Sequence, residues 1–247
     1  DYENWSCAYD SLLTLLWNMF TDGRIGANCL PDNTFFTDIL HGFTAVSGGQ
    51  STLEDIRDHF RDGLCQFNMS RFPRIGHALT AVTEIVELLF RHCEPLASMR
   101  SYCDHCNEVV QPSGDDFVWD TVVVIHQESL RGLQGNPPYS MSSVLYAHWL
   151  NNFDRRCNSC GSQISTSADF VFSPSIIVVE IQPSIDGIFP RSLSINLELT
   201  LTLGSINHCW LLAGVIYLGS SHFISCYITS ANVVWLHDGV AMGRQCL

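Results

Sequence analysis

Basic residues are scarce in this sequence, and so is charge of either sign. Only 12 of the 247 residues are lysine or arginine, against 25 that are acidic, and the formal net charge is −13. Nucleic acid would be repelled by such a surface unless the basic residues formed a local patch, and here they are scattered. The composition therefore argues against nucleic-acid binding. It suits a basic protein partner or serves solubility.

Hydrophobic runs long enough to cross a bilayer are missing as well. The longest runs, such as residues 210–218, are too short for a membrane span, so no membrane partner is expected. Residues 1–30 lack a basic stretch followed by an apolar block, and no signal peptide is expected there. With 46% hydrophobic and 15% charged residues, the chain has the composition of a folded globular protein with a sizeable core.

Cysteine, in contrast, is abundant. There are 11 cysteines, an odd number that differs from the even, dense frameworks of small disulfide-bonded secreted domains. A reducing compartment is therefore expected, the cytoplasm or the nucleus. Four of the cysteines form two CxxC pairs and seven are dispersed: Cys7, Cys29, Cys65, Cys93, Cys209, Cys226 and Cys246.

Apolar periodicity predicts a helical part followed by a sheet. We predict helices over residues 8–20, within 31–46, after a capping box formed by Ser51 and Glu54, and from Pro73 onward to residue 90. Strands are predicted for the β-branched or alternating segments, which are 117–126, 176–181, 193–203, 209–218, 222–229 and 232–236. Helices first and an antiparallel sheet second indicate an α+β fold.

The two CxxC pairs predict a metal site. Fifty residues separate the pairs, and two CxxC turns together complete the tetrahedral four-sulfur set that zinc prefers. Gly161 follows the second pair, where a knuckle turn favours a residue of positive φ. A redox-active CxxC is the alternative, and His105 is an alternative ligand. With four protein ligands the zinc would be structural; the predicted ligands are Cys103, Cys106, Cys157 and Cys160.

A cysteine, a histidine and a carboxylate stand where nucleophilic catalysis would need them. Cys7 immediately precedes the first predicted helix, whose N-terminus would stabilise a thiolate and a developing oxyanion. His222 begins a predicted strand after a Gly-Ser-Ser turn, and Asp238 ends the next strand. We expect Asp238 to accept a hydrogen bond from the imidazole and to fix its tautomer.

These segments resemble the signature boxes of the ubiquitin-specific proteases. Residues 7–13 resemble the cysteine box, residues 219–227 the histidine box, and residues 234–238 the segment that carries the third catalytic residue. The CxxC pairs match the zinc ribbon of that family, and residues 174–181 the strand that follows it. The resemblance implies a papain-like α+β fold in one catalytic domain over 1–247, with a helical thumb (1–95), zinc-bearing β fingers (96–168) and an antiparallel β palm (169–247).

Three positions depart from the family pattern. The oxyanion-hole asparagine usually lies five residues before the cysteine, where this chain has Tyr2; Asn4 is the nearest candidate, with the Cys7 amide as the alternative donor. Asp10 replaces the usual asparagine inside the cysteine box. Asp238 is followed by Gly239. The last two features, with the Trp-Ser approach to Cys7, are similar to a divergent branch that includes a SUMO isopeptidase.

The resemblance implies a thiol-dependent isopeptidase that cleaves after the C-terminal glycine of ubiquitin. Cys7 would be the nucleophile, His222 the base, Asp238 the orienting carboxylate and Asn4 the oxyanion donor. Its partners would be ubiquitin or a ubiquitin-like modifier and its conjugates. Two alternatives stay open: an isopeptidase for SUMO or another modifier, and a catalytically inactive scaffold that binds a modifier.

Overall fold

The chain divides into two compact units. The structure is a computed structural model that describes residues 6–26, 33–75, 80–90, 97–106, 108–110, 122–126, 139–145, 156–170, 175–182, 193–203, 206–219 and 222–239. The first unit consists of Asp1–Arg91 and Ala213–Leu247, and the second of His92–Leu212. The first unit is thus built from two separate stretches of sequence. No helix within the described ranges has both the length and the apolar character needed to cross a bilayer.

Four helices form the N-terminal part of the first unit: α1 (Cys7–Thr21), α2 (Thr34–Ser47), α3 (Leu53–Phe67) and α4 (Val82–Phe90). The predicted helix over 8–20 is confirmed, and its apolar stripe is buried at Leu12, Leu13 and Leu16. The helix expected from Pro73 begins later, since residues 73–75 are not helical and α4 starts at Val82. Proline is compatible with the first turn of a helix because its φ is fixed, but it does not by itself determine where helical hydrogen bonding begins.

The N-terminus of α3 is capped one residue later than predicted. Thr52, rather than Ser51, is the N-cap, and its hydroxyl accepts from the Asp55 backbone N–H at 3.2 Å. The Asp55 carboxylate accepts from the Thr52 backbone N–H at 2.9 Å. Aspartate therefore fills the role that the sequence pattern assigned to Glu54, because a short carboxylate at the third helical position also reaches the cap.

Twelve strands occur in the described ranges: β1 (Ala97–Cys103), β2 (Glu108–Val110), β3 (Val122–His126), β4 (Tyr139–Ser140), β5 (Ile164–Phe170), β6 (Val178–Gln182), β7 (Leu193–Ser194), β8 (Glu198–Leu203), β9 (Ile206–Leu211), β10 (Gly214–Leu218), β11 (Phe223–Ile228) and β12 (Val234–His237). The first unit contains the antiparallel sheet β10-β11-β12. Helices and sheets thus share the chain, as the α+β prediction requires.

The second unit combines antiparallel and parallel pairing. The sheet β2-β1-β5 and the pair β8-β9 are antiparallel, and a helical turn over 141–145 contributes to the core around Ile125, Leu145 and Leu201. The pairs β3-β6 and β4-β7 are parallel, which differs from the antiparallel arrangement predicted. Strands so far apart in sequence have room for a crossover connection, and a local pattern does not specify their direction.

Two predicted strands are each broken in two. The alternating segment 193–203 divides into β7 and β8, and between them Ile195 and Leu197 are exposed, so the apolar alternation does not mark a continuous buried face. The segment 209–218 divides at Leu212 and Ala213. The Leu212 N–H donates to Leu197, whereas the Ala213 carbonyl accepts from Ile228. The break lies where the backbone changes its pairing partner.

Helix α1 lies directly against β10 and β11. A Cβ added to Gly214 would come within 2.3 Å of Leu15 Cδ1 and 2.4 Å of the Cys226 carbonyl oxygen. Glycine at this position is therefore what allows the helix and the strands to approach so closely. Ser11 completes the contact, because its hydroxyl donates to the Phe223 carbonyl at 3.2 Å.

We expect Gly214→Ala to destabilise the first unit by about 1–3 kcal/mol, because the added methyl group forces α1 away from the sheet. Gly26→Ala is the matched control, since a Cβ at Gly26 meets no atom within 4 Å and both changes restrict the unfolded chain equally. Urea unfolding followed by circular dichroism gives the difference. Equal stabilities for the two variants would contradict the packing described here.

Candidate active site

Cys7 is the first residue of α1. The side chain is half-buried and free of any disulfide, and the helix runs from this residue to Thr21. The sequence placed Cys7 just before the helix, and the structure places it within the first turn. The partial positive charge of the helix N-terminus therefore acts on the sulfur at close range.

The first turn of α1 keeps its N–H groups uncapped by the preceding serine. The first intrahelical bond is from the Asp10 N–H to the Ser6 carbonyl at 2.8 Å, so the N–H groups of residues 7–9 have no helical acceptor. Ser6 makes no side-chain capping bond to them: its backbone has helical angles, with a φ of −101° and a ψ of −4°, and its hydroxyl donates to Asp10 Oδ2 at 2.6 Å. These N–H groups are suited to binding an oxyanion.

His222 and Asp238 form a hydrogen-bonded pair. The pairing of Ser225 with His237 in β11 and β12 brings the start of one strand beside the end of the other. His222 Nε2 lies 2.8 Å from Asp238 Oδ1, and the two side chains are 16% and 17% exposed. A carboxylate on Nε2 holds the proton there and leaves Nδ1 with a lone pair that accepts protons.

Helix α1 also connects Cys7 to the strand that follows His222. Ser11, one helical turn after Cys7, donates to the carbonyl of Phe223, the residue after His222. Among the described residues no hydrogen bond joins Cys7 to His222. Asn4, the predicted oxyanion donor, lies outside the described residues.

The second unit brings the four predicted metal ligands together. The sulfur atoms of Cys103, Cys106, Cys157 and Cys160 all lie within 4.8 Å of one another. Cys103 Sγ is 3.5 Å from Cys160 Sγ, and Cys106 Sγ is 3.8 Å from Cys157 Sγ. The edge of a tetrahedron with zinc–sulfur bonds of about 2.3 Å is about 3.8 Å. The cluster is therefore compatible with a zinc site.

Two tight turns present these thiols. The Cys106 N–H donates to Cys103 Sγ at 3.5 Å, in a turn that joins β1 to β2. In the second turn the Gly161 N–H donates to the Cys157 carbonyl at 2.8 Å, and Gly161 has a φ of 72°, as the sequence predicts. Hydrogen bonds from Ser162 lower the pKa of the Cys160 thiol to about 6. The hydrogen bond with Cys160 raises the pKa of the Cys106 thiol, so the metal-free cluster shares its protons unevenly among the four sulfurs.

Two polar pairs in the first unit are not predicted by the sequence. Asp10 Oδ1 accepts from Arg57 Nη1 at 3.1 Å, and thereby ties α1 to α3. Asp22, at the C-terminal end of α1, accepts from the Tyr227 hydroxyl and from the Ser230 N–H. The second pair, the Asp22–Tyr227 clamp, joins the C-terminal end of α1 to the C-terminal end of β11.

Comparison with known proteins gives matches at the level of structure. No protein-family model matches the chain, and no curated protein sequence matches it. A chain of the SAGA DUB module of Ubp8, Sgf11, Sus1 and Sgf73 superposes with a TM-score of 0.57 at 11% identity, over 98% of this chain and 62% of that chain. The module bound to monoubiquitin gives 0.51 at 12% identity, over 99% and 63%. The module bound to ubiquitin aldehyde gives 0.52 at 12% identity, over 99% and 64%.

Identities this low establish the fold alone. The fold is like that of the ubiquitin-specific proteases, as the resemblance of the cysteine and histidine boxes implies. The chain spans less than two thirds of these neighbours, between 62% and 64% of their lengths.

We expect Tyr227→Phe to lower the melting temperature at pH 7 and to have less effect in acid. The Tyr227 hydroxyl holds the pKa of Asp22 below its ordinary value, so this stabilisation is present above about pH 4. It is lost as the pH falls through the folded-state pKa, because protonated Asp22 binds the hydroxyl less well. Thermal unfolding between pH 7 and pH 3 measures the difference in melting temperature between the wild type and the variant, which is the gap. Tyr217→Phe, at an exposed tyrosine, is the control, and a gap that stays constant with pH would contradict the clamp.

Proposed function

We propose that this chain is a thiol-dependent isopeptidase of the ubiquitin-specific-protease kind, which cleaves after the C-terminal glycine of ubiquitin. The observation that carries the proposal is the 2.8 Å bond from His222 Nε2 to Asp238 Oδ1, in the unit in which Cys7 begins α1. A thiol at a helix N-terminus and an imidazole oriented by a carboxylate are the groups that cysteine proteases use.

In the first step the Cys7 thiol loses its proton to Nδ1 of His222, and the sulfur attacks the carbonyl carbon of the terminal glycine. A carbon–sulfur bond forms and the carbonyl electrons move to oxygen. The uncapped N–H groups of the first turn of α1 support oxyanion stabilisation, which is worth about 3 kcal/mol per donor. We propose the Cys7 amide for this role, together with Asn4.

In the second step His222 gives its proton to the lysine nitrogen, the carbon–nitrogen bond breaks, and the oxyanion electrons re-form the carbonyl, which leaves a thioester on Cys7 and a free lysine amine. Asp238 balances the charge of the imidazolium while it carries the proton. Water then attacks the thioester with His222 as the base, releases the modifier with a free carboxylate, and regenerates the Cys7 thiol.

We further propose zinc for the four-cysteine cluster. The sulfur–sulfur distances support a tetrahedral site of four thiolates. Zinc there would hold the second unit together and take no part in the chemistry. The division into a thumb (1–95), fingers (96–168) and a palm (169–247) is part of the same proposal. A reducing compartment, the cytoplasm or the nucleus, is part of the same proposal, on the ground of the odd number of cysteines.

Ubiquitin is the proposed modifier, because structures of the SAGA DUB module bound to monoubiquitin and to ubiquitin aldehyde share the fold. Asp10 in the cysteine box and the Asp238–Gly239 step favour the SUMO-isopeptidase-like branch as the second candidate. The two candidates use the same chemistry at Cys7 and differ in the surface that the modifier contacts.

We expect a ubiquitin probe with a thiol-reactive C-terminus to form a covalent adduct with Cys7. Cys7→Ala should abolish the adduct and lower kcat/KM on a ubiquitin-linked fluorogenic substrate by at least about a thousandfold, since the nucleophile is removed. Intact-mass spectrometry detects the adduct. Cys65→Ala, which removes another half-buried thiol of the same unit, should react like the wild type.

The probe panel includes SUMO and NEDD8 tails. An adduct with SUMO alone would assign the chain to the second candidate. Absence of an adduct with every probe, from a folded protein, would leave a modifier-binding scaffold or an unrelated function. An adduct retained by Cys7→Ala would remove Cys7 from its proposed role.

We expect one zinc ion per chain by inductively coupled plasma mass spectrometry of the purified protein. Cys106→Ser and Cys157→Ser should each reduce the bound zinc to a small fraction and destabilise the second unit, because three thiolates bind zinc far more weakly than four. Cys209→Ser is the matched control, since Cys209 is an exposed thiol of the same unit. A metal content unchanged in both cluster variants would contradict the site.

A further inference from the structure

Asp10 connects the residue before Cys7 to a cation from another helix. Its Oδ2 accepts from Ser6 Oγ at 2.6 Å, and its Oδ1 accepts from Arg57 Nη1 at 3.1 Å. The Arg57 side chain is 19% exposed and that of Asp10 is 35% exposed. Arg57 Nε also donates to Asp58 Oδ1 at 3.0 Å. Both oxygens of Asp10 are therefore engaged on the N-terminal turn of α1.

The Ser6 hydroxyl bonds to Asp10 and does not cap the helix, and the Ser6 backbone has helical angles, with a φ of −101° and a ψ of −4°. A serine at an N-cap normally accepts from the N–H groups of the following turn. Here the Ser6 hydroxyl is turned toward the carboxylate of Asp10 and makes no capping bond. The same contact holds the side chain of the residue that immediately precedes Cys7, while the N–H groups of residues 7–9 have no helical acceptor.

Asp10 places a carboxylate on the same helix as Cys7, and Arg57 pairs with that carboxylate. Asp10 lies three residues after Cys7, on the next turn of the same helix, where residues neighbour one another. An uncompensated carboxylate there would oppose the formation of a thiolate. Burial acts to lower the pKa of Arg57, but the hydrogen bonds and charges of Asp58 and Asp10 outweigh it and raise that pKa. Arg57 therefore remains a cation beside Asp10.

We propose that Asp10 and Arg57 are a positioning pair for Cys7: the carboxylate holds the Ser6 hydroxyl at the start of α1, and the guanidinium holds and neutralises the carboxylate. The proposal rests on the proposed function, in which Cys7 is the nucleophile. Neither side chain touches the reacting atoms.

The electrostatic part is tested on the intact chain without any modifier. Iodoacetamide alkylation of Cys7 is followed by peptide mass spectrometry from pH 5 to pH 10. We expect Arg57→Met to lower the rate at pH 7 on the order of tenfold and to move the profile to higher pH, because the carboxylate is unmasked. The profile also depends on three other titratable groups that none of these variants changes: His222, Asp238 and Asp58. Arg57→Lys, which keeps the cation, should restore the wild-type profile.

The second mutation in the cycle separates charge from structure. Asp10→Asn in the Arg57→Met background should return the profile toward that of the wild type, because the amide still accepts from Ser6 and carries no charge. Arg71→Met is the control, since Arg71 pairs with Glu84 and Glu87 instead. A profile of Arg57→Met equal to that of Arg71→Met, or a double variant that stays shifted, would overturn the proposal.

The Ser6 part is tested by turnover. Asp10→Ala leaves the Ser6 hydroxyl without its acceptor and loosens the residue before Cys7, so we expect kcat on the ubiquitin substrate to fall on the order of tenfold with KM little changed. Ser6→Ala alone should cause a similar loss, and the double variant should lose little more, because both changes remove the same bond. Fully additive losses would overturn the role of Ser6. If the ubiquitin probe formed no adduct but the alkylation profiles shifted as expected, the proposed function would be wrong and the positioning pair would still hold.

Discussion

The packing of α1 against β10 and β11 is the constraint on which the rest of the first unit depends. It joins the start of the sequence to residues more than two hundred positions later, through the bond from Ser11 to Phe223 at one end and the Asp22–Tyr227 clamp at the other. Cys7 begins the helix and His222 precedes the strand. The packing of α1 on the sheet therefore also positions the two proposed catalytic side chains relative to each other. A substitution that alters this packing is expected to alter their separation.

The elements that the sequence predicted well are those decided by local patterns. The helix over 8–20 and the strands at 122–126 and 223–228 carry apolar periodicities that no partner needs to complete. The errors lie where a distant partner decides the outcome. Leu212 and Ala213 continue an apolar run, yet they bond to different strands. The direction of β6 beside β3 depends on pairing across more than fifty residues, which no local pattern encodes.

The candidate site follows the same rule. The cysteine cluster was predictable because each CxxC pair carries its own turn geometry, and His222 with Asp238 because their boxes follow each other closely in sequence. Arg57 was missed because it comes from 47 positions beyond Asp10. The sequence did contain one signal. Asp10 lies in a helix whose neighbouring residues are buried, and a carboxylate in such surroundings needs a cation or several hydrogen-bond donors. Helix α3 offers two arginines, one of which is Arg57.

The division of the first unit into two stretches of sequence governs the order in which the protein can assemble during synthesis. When α1 leaves the ribosome, α2, α3 and α4 follow soon afterwards, but β11 appears only after the whole of the second unit has been made. The cysteine cluster, complete at Cys160, can close first. Throughout that interval the apolar side chains of α1 that pack on the sheet are exposed to chaperones, and a translation arrest before residue 213 yields α1 without β10 and β11.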